Sequence, residues 1–164
     1  MNIEVKPIGI VHSPHHQAEG TPLQPRWAEG VEGTVEVFAE FAPGLRDLDG
    51  FDRIWLLYWF DRARAAQLEV SPFRDCQTRG VFATRAPSRP NPIGLSCVHL
   101  IAIEGPMIHV AELDVLDGTP LLDIKPYVPD CDVFPIERIG WYANALGSRT
   151  ADDRFARGTP NPRP

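Results

Sequence analysis

The sequence predicts a mainly β fold of one domain: a compact barrel or sandwich of six to seven short strands, with a short C-terminal helix. Three observations predict it. Apolar and polar residues alternate over several runs of strand length, the signature of half-buried strands. Seventeen prolines among 164 residues oppose long helices, because proline fixes φ and removes a backbone donor. Turn-forming clusters separate the runs at short intervals. The length suits a single hydrophobic core, and 43% hydrophobic with 23% charged residues is ordinary for a globular chain.

The elements follow in order. Ile3 to Val11 reads as a strand, with Pro7 suited to an edge or a bulge. His12, Ser13 and Pro14 end it, and a polar loop runs to Glu29. Gly33 to Phe41 sets Val35 and Val37 against Glu36 and Glu40, a half-buried strand. Pro43 to Gly50 reads as a single helical turn, with Leu45 and Leu48 three apart. Phe51 to Phe60 is the most apolar run, and its aromatic residues suit a central strand. Residues 62–79 are polar and irregular, and Arg79 to Thr84 is a further strand. Leu95 to Glu104 and Met107 to Leu116 form a hairpin around Gly105–Pro106. Asp117 to Pro120 is a turn, and Leu121 to Tyr127 a short strand. Pro135 to Leu146 has the spacing of a short amphipathic helix, interrupted by Gly140. Residues 1–146 are therefore expected to make the domain, and 147–164 a polar tail, frayed or docked on a neighbour.

The totals exclude several classes. Cys76, Cys97 and Cys131 are odd in number and show no CxxC spacing, so neither a disulfide framework nor a zinc site is expected, and no metal is assigned. No apolar run is long enough to span a membrane, and the first residues lack the pattern of a secretory signal. A cytoplasmic protein is the expectation. The net charge of −6 argues against a general nucleic-acid binder. Arginines 53, 62, 64, 74, 79, 85 and 89 nevertheless cluster in mid-chain, so a basic face on an acidic body stays open.

The richest stretch is Gly80 to Ser96, GVFATRAPSRPNPIGLS. Its prolines stiffen a loop that carries Arg85 and Arg89. A stiff loop with two guanidiniums suits a small anionic group, since little entropy is left to lose on binding. The alternative is a proline-rich turn with solvated arginines. Phosphate-loop, dinucleotide, serine-hydrolase and zinc-protease signatures are absent. His12, His15 and His16 read as loop histidines, with His12 the functional candidate because it follows a strand directly. The turn at Asp117–Gly118–Thr119 can grip hydroxyl or amine groups. Asp123 and Lys125 share one face of a strand and read either as an exposed ion pair or as a pair placing Lys125 or Tyr127 near a substrate. Asp61–Arg62, closing the aromatic strand, invites the same two readings.

Taken together, IGIVHSP (8–14), GFDRIWLLYWF (50–60), GVFATRAPSRPNPIGLS (80–96) and LDGTPLLDIKPYVP (116–129) resemble the TsaA/YaeB-like, or TrmO, family in order and spacing. The resemblance covers most of residues 3–132. It implies a small β-barrel that binds S-adenosylmethionine (SAM) without a Rossmann-like fold and works as a homodimer. The activity it implies is methylation of N6 of threonylcarbamoyl-adenosine 37 in tRNA. It places cofactor contacts at Gln24, Pro25, Arg26, Asp61, Arg62, Arg85, Leu95, Asp117, Gly118, Thr119 and Pro120. Two positions depart from the family pattern: Arg26, where glycine is common, and Asp61–Arg62, where a histidine-bearing pair is common. For the chemistry, Asp123, Lys125 and Tyr127 are the catalytic candidates beside His12, and Arg89 is the candidate for the substrate's carboxylate. The alternatives keep SAM and change the acceptor to a small molecule or protein, or make the chain a non-catalytic SAM-binding module.

Overall fold

Six antiparallel strands close on themselves in the computed structural model, which describes residues 3–157. Eight strands occur among the described residues: β1 (Gly9–His12), β2 (Glu32–Val37), β3 (Arg53–Trp59), β4 (Glu69–Val70), β5 (Arg79–Gly80), β6 (Ile93–Glu104), β7 (Met107–Ala111) and β8 (Thr119–Pro126). The barrel order is β1-β2-β7-β6-β3-β8, and β4 and β5 form a separate two-stranded ribbon. Between the two open readings, sandwich and barrel, closure decides for the barrel: Gly9, Ile10 and Val11 pair with Leu121, Pro120 and Thr119, so the barrel strands leave no free edge.

The period-2 alternation fills the interior. Val11, Val35, Val37, Ile54, Leu56, Val98, Ile108, Val110 and Leu121 point inward and are almost fully buried, and Leu113 and Val115 join them from the segment after β7. A second cluster of Val70, Val81, Ala86 and Phe155, with Phe73 against it, lies beneath the ribbon. The β3–β8 register shifts between Leu57 and Tyr58, an irregularity at the barrel end that carries the cavity described below.

Several sequence expectations are corrected. The first strand starts at Gly9, not Ile3, and includes His12. Pro7 offers no N–H to a ladder, and Ile3 and Val5 are left exposed. The strand expected at Arg79 to Thr84 stops at Gly80. There a 3-10 turn, Val81–Ala83, buries Val81 in the second cluster, and the Thr84 hydroxyl closes the turn by donating to the Val81 carbonyl at 2.8 Å. The single turn expected at 43–50 is two 3-10 turns, Ala42–Leu45 and Leu48–Gly50. The expected C-terminal helix does not form. Gly140 takes φ +59°, only a 3-10 turn spans Gly140–Asn144, and Ile136, Ile139 and Leu146 stay exposed, so no apolar face is buried to support a helix. A four-residue helix, α1 (Pro129–Asp132), appears instead.

The segment after residue 147 is bound to the body as far as it is described; 158–164 lie outside the described residues. Thr150 bridges Pro22, Ala156 bridges Ala63, and the Arg64 N–H donates to the Phe155 carbonyl at 2.9 Å. The Trp27 ring is flanked by Arg74 at 4.9 Å and Arg149 at 5.7 Å. With the Gly140–Asn144 turn before it, this segment makes a strap that joins the Pro22 loop to the Ala63–Arg64 loop.

Candidate active site

At one end of the barrel, β3 finishes where β6 and β8 begin, because β3 runs antiparallel to both. Tyr58, Gly94 and Thr119 come together there and floor a cavity of about 690 Å³. Its walls are the 21–27 loop, the proline-rich 84–89 segment, the Asp114–Leu116 stretch and the strap, which contributes Trp141, Tyr142 and Phe155.

Six of the eleven expected cofactor residues line this cavity: Gln24, Asp61, Arg62, Arg85, Leu95 and Thr119. Arg85 donates to the Gln24 side-chain carbonyl, which joins the two loops across the opening. Arg62 donates to the Asp117 carbonyl at 2.7 Å and to the Thr119 hydroxyl at 3.0 Å, so it clamps the turn at the start of β8. Gly118 holds that turn at φ +77°, where glycine alone is unstrained. Leu95 is half exposed and offers an apolar surface.

The other five lie outside the lining. Pro25 is buried as the first residue of the 3-10 turn Pro25–Trp27, and Arg26 follows it in that turn. The Asp117 carboxylate faces the histidine loop, accepting from the Ser13 N–H at 3.1 Å with His16 at 3.5 Å. Gly118 and Pro120 belong to the turn and the strand start. Arg89 lines the cavity but donates one amino group to the Thr84 and Ala86 carbonyls at 3.1 Å each, bracing its own loop.

The catalytic candidates are not among the residues that line the cavity. Asp123 and Lys125 form an exposed ion pair at 2.8 Å, and Tyr127 packs on Trp55 at 5.9 Å between ring centres; none of the three is in the lining. His12 bonds Glu36 at 3.1 Å on the barrel's outer face and is outside the lining as well.

Sequence reasoning missed Asp114. It stands between the fully buried Leu113 and Val115, with its carboxyl toward the cavity. The Ser96 hydroxyl donates to Asp114 Oδ1 at 2.6 Å, and the Tyr58 hydroxyl lies 3.0 Å from Ser96 Oγ. Burial pushes Asp114 up from the ordinary carboxylate range to about 7, opposed by the Ser96 hydrogen bond and the Arg85 charge. Burial, with Asp114 nearby, also raises Tyr58 far above its usual value, so its phenol stays protonated. A signal existed for its partners: Tyr58 and Ser96 occupy inward positions of strands whose other inward residues are apolar. Polar groups at such positions need one another.

The cavity fits SAM in size and chemistry. The volume is within the range of small-molecule sites. Arg85 matches a carboxylate, apolar Ile93 and Leu95 match an adenine face, and Thr119 can hold a hydroxyl. Arg74 also lines the cavity, and its buried Nε has no partner among the described residues, which suits a polar ligand.

Comparison with known proteins bears on the same residues. A probable S-adenosyl-L-methionine-binding protein of Pyrococcus abyssi is 52% identical over 153 residues, covering 92% of this chain and 83% of that protein. The tRNA (adenine(37)-N6)-methyltransferase of Escherichia coli K12 is 33% identical over 144 residues, covering 82% of this chain and 61% of that protein. A crystal structure of TrmO from Pseudomonas aeruginosa superposes with a TM-score of 0.72 at 38% identity, covering 85% of this chain and 62% of that one. The chain thus spans less than two thirds of these two bacterial proteins. The description "tRNA-methyltransferase O N-terminal domain" matches residues 10–133, which hold the whole barrel from Ile10 on and Asp114 with it, and the chain belongs to the tRNA-methyltransferase O family.

Proposed function

We propose that the protein is a SAM-dependent methyltransferase that methylates N6 of threonylcarbamoyl-adenosine 37 in tRNA. The observation that carries this reading is the cavity at the barrel end, where cationic, apolar and hydroxyl groups matched to SAM share one space with the half-buried Asp114 carboxylate. When bound, SAM supplies a methyl group activated by a sulfonium.

The chain's residues do the rest. Arg85, tied to Gln24, fixes the cofactor's amino-acid end. Arg62 holds Thr119 in place for the ribose. The strap offers the acceptor an aromatic face: Trp141 and Tyr142 stack at 4.0 Å between ring centres, and the Arg79 guanidinium lies 5.8 Å over Trp141. Unpaired bases stack on such surfaces, at about 1–3 kcal/mol per base. Fixed positions of methyl and acceptor supply much of the rate in a displacement that needs its three centres in line. Arg89, in the same lining, stands ready for the acceptor's carboxylate.

The same reading takes the protein as a cytoplasmic homodimer. Among the described residues no helix is long and apolar enough to cross a membrane, and exposed Val133, Phe134 and Ile136 give a dimer apolar surface to cover. A small-molecule or protein acceptor is the less favoured alternative, given the name of the E. coli relative.

The test is incubation with methyl-labelled SAM and tRNA carrying threonylcarbamoyl-adenosine. The expected result is label on that nucleoside, lost when the modification is absent. No incorporation, beside an active control enzyme, contradicts the reading.

A further inference from the structure

We propose that Asp114 is the group that takes the proton from the acceptor nitrogen during methyl transfer. This rests on the methyltransferase reading and assigns a residue to its missing step. The N6 nitrogen of a carbamoylated adenine is a poor nucleophile while it keeps its proton, so a base must stand inside the cavity.

The lining narrows the choice. Its carboxylates are Asp61, Asp114 and Asp152. Asp152 is held by Arg154 at 2.7 Å, and that pairing keeps it below the usual carboxylate range, which makes it a weak base. Asp61 faces Arg62 at 3.4 Å and is exposed. Asp114 alone of the three has no cation within ion-pair distance among the described residues. Its one side-chain hydrogen bond comes from Ser96 and occupies Oδ1, leaving Oδ2 for a proton from the cavity. Tyr58 is spent on Ser96 and is too weak an acid to serve as its own anion. Asp123, Tyr127 and His12 do not line the cavity.

The relay from Tyr58 through Ser96 to Asp114 has a clear consequence. With Asp114 ionised, Tyr58 donates to Ser96 and Ser96 to Asp114, so the carboxylate is oriented without being neutralised. Burial keeps its proton affinity close to neutrality, where a base both exists ionised and accepts a proton readily. The titratable and charged groups facing it are Tyr58 from β3 and Arg85 from the proline-rich segment.

The step balances. As the N–CH3 bond forms, the N–H bond breaks and its proton passes to Asp114 Oδ2. The electron pair of the breaking S–CH3 bond stays on sulfur, whose positive charge is lost as the carboxylate's negative charge is lost. Asp114 then returns the proton to solvent.

The experiment compares the wild-type chain with Asp114→Asn and Ser96→Ala. Asparagine keeps the shape and can still accept from Ser96. Three readouts are taken: SAM affinity by calorimetry, labelled-methyl transfer to modified tRNA from pH 5 to 9, and the protonated-carboxyl infrared band of the cofactor-free protein over the same range. The expected results for Asp114→Asn are SAM affinity within about threefold of wild type, transfer reduced at least 100-fold, and loss of a carboxyl band that titrates near pH 7. The wild-type rate rises with pH through that same midpoint. Ser96→Ala removes the hydrogen bond that favours the carboxylate and moves both midpoints upward. Transfer by Asp114→Asn at the wild-type rate overturns the proposal. Loss of SAM affinity in that variant also overturns it, making Asp114 a cofactor ligand. A wild-type chain that binds SAM but methylates no tRNA sinks the acceptor reading instead, and a band that fails to titrate near neutrality still overturns the proton-acceptor role.

Discussion

Replacing Arg85 by alanine is expected to weaken SAM binding about 10- to 150-fold, or about 1.5–3 kcal/mol, the scale of a hydrogen bond to a charged group. Arg85 lines the cavity, and the loop that carries it is stiff for three reasons. Pro87, Pro90 and Pro92 restrict the backbone, Thr84 closes the turn before it, and Arg89 grips the Thr84 and Ala86 carbonyls. The guanidinium is steadied further by Gln24. Little ordering cost therefore remains when a carboxylate arrives, and removing the side chain loses nearly the whole interaction. Calorimetry on Arg85→Ala measures it. Affinity unchanged within twofold would show that Arg85 is not a ligand. Arg85→Lys keeps the charge but not the fork, and should recover only part of the loss.

Gly94→Ala is expected to lower the unfolding midpoint by about 2–12 °C, the equivalent of the ~1–3 kcal/mol that overpacking costs in a chain of this size. Gly94 pairs with Tyr58 across β6 and β3, and Tyr58 is almost fully buried. A Cβ at Gly94 would overlap the Tyr58 ring directly. The ring is held on two sides: Phe60 packs edge-on at 5.2 Å, and the Tyr58 hydroxyl is bonded to Ser96. The substitution therefore breaks the Tyr58–Ser96–Asp114 relay as well as the packing. Gly50→Ala is the control, since nothing lies within 4 Å of a Cβ there. Thermal unfolding of the two variants side by side checks the claim, and equal midpoints would show that Tyr58 does not occupy this position.

The parts of the fold legible in the sequence are those with strong alternation. β3 and the β6–β7 hairpin were readable because Ile54, Leu56, Val98, Ile108 and Val110 repeat every second residue and point into one core. Apolar residues without a core to meet were misleading: Ile3 and Val5 suggested a strand, and Ile136, Ile139 and Leu146 a helix, yet all five are exposed. Barrel closure was invisible locally, because β1 and β8 are more than a hundred residues apart and only their pairing shows it.

The site divides the same way. Arg85, Leu95 and Thr119 sit in dense motifs, and all three line the cavity. Asp114 was not, because Tyr58, Ser96 and Asp114 come from β3, β6 and the segment after β7, and only the β3–β6 register brings Tyr58 and Ser96 together. The strap's part in the cavity was equally hidden. Trp141, Tyr142 and Phe155 lie outside the family-matched residues 10–133; the Trp141 indole N–H is held by the Ala83 carbonyl at 2.8 Å, and Phe155 by the neighbouring Ala63–Ala156 bridge.

The methyltransferase reading requires the cavity at the barrel end to be the SAM site. A crystal structure of the protein with S-adenosylhomocysteine tests that most directly. The ligand is expected inside the cavity, its carboxylate within hydrogen-bond distance of Arg85 and its nucleoside against Leu95 and Thr119. A ligand bound elsewhere, with Arg85 and Thr119 untouched, would contradict it.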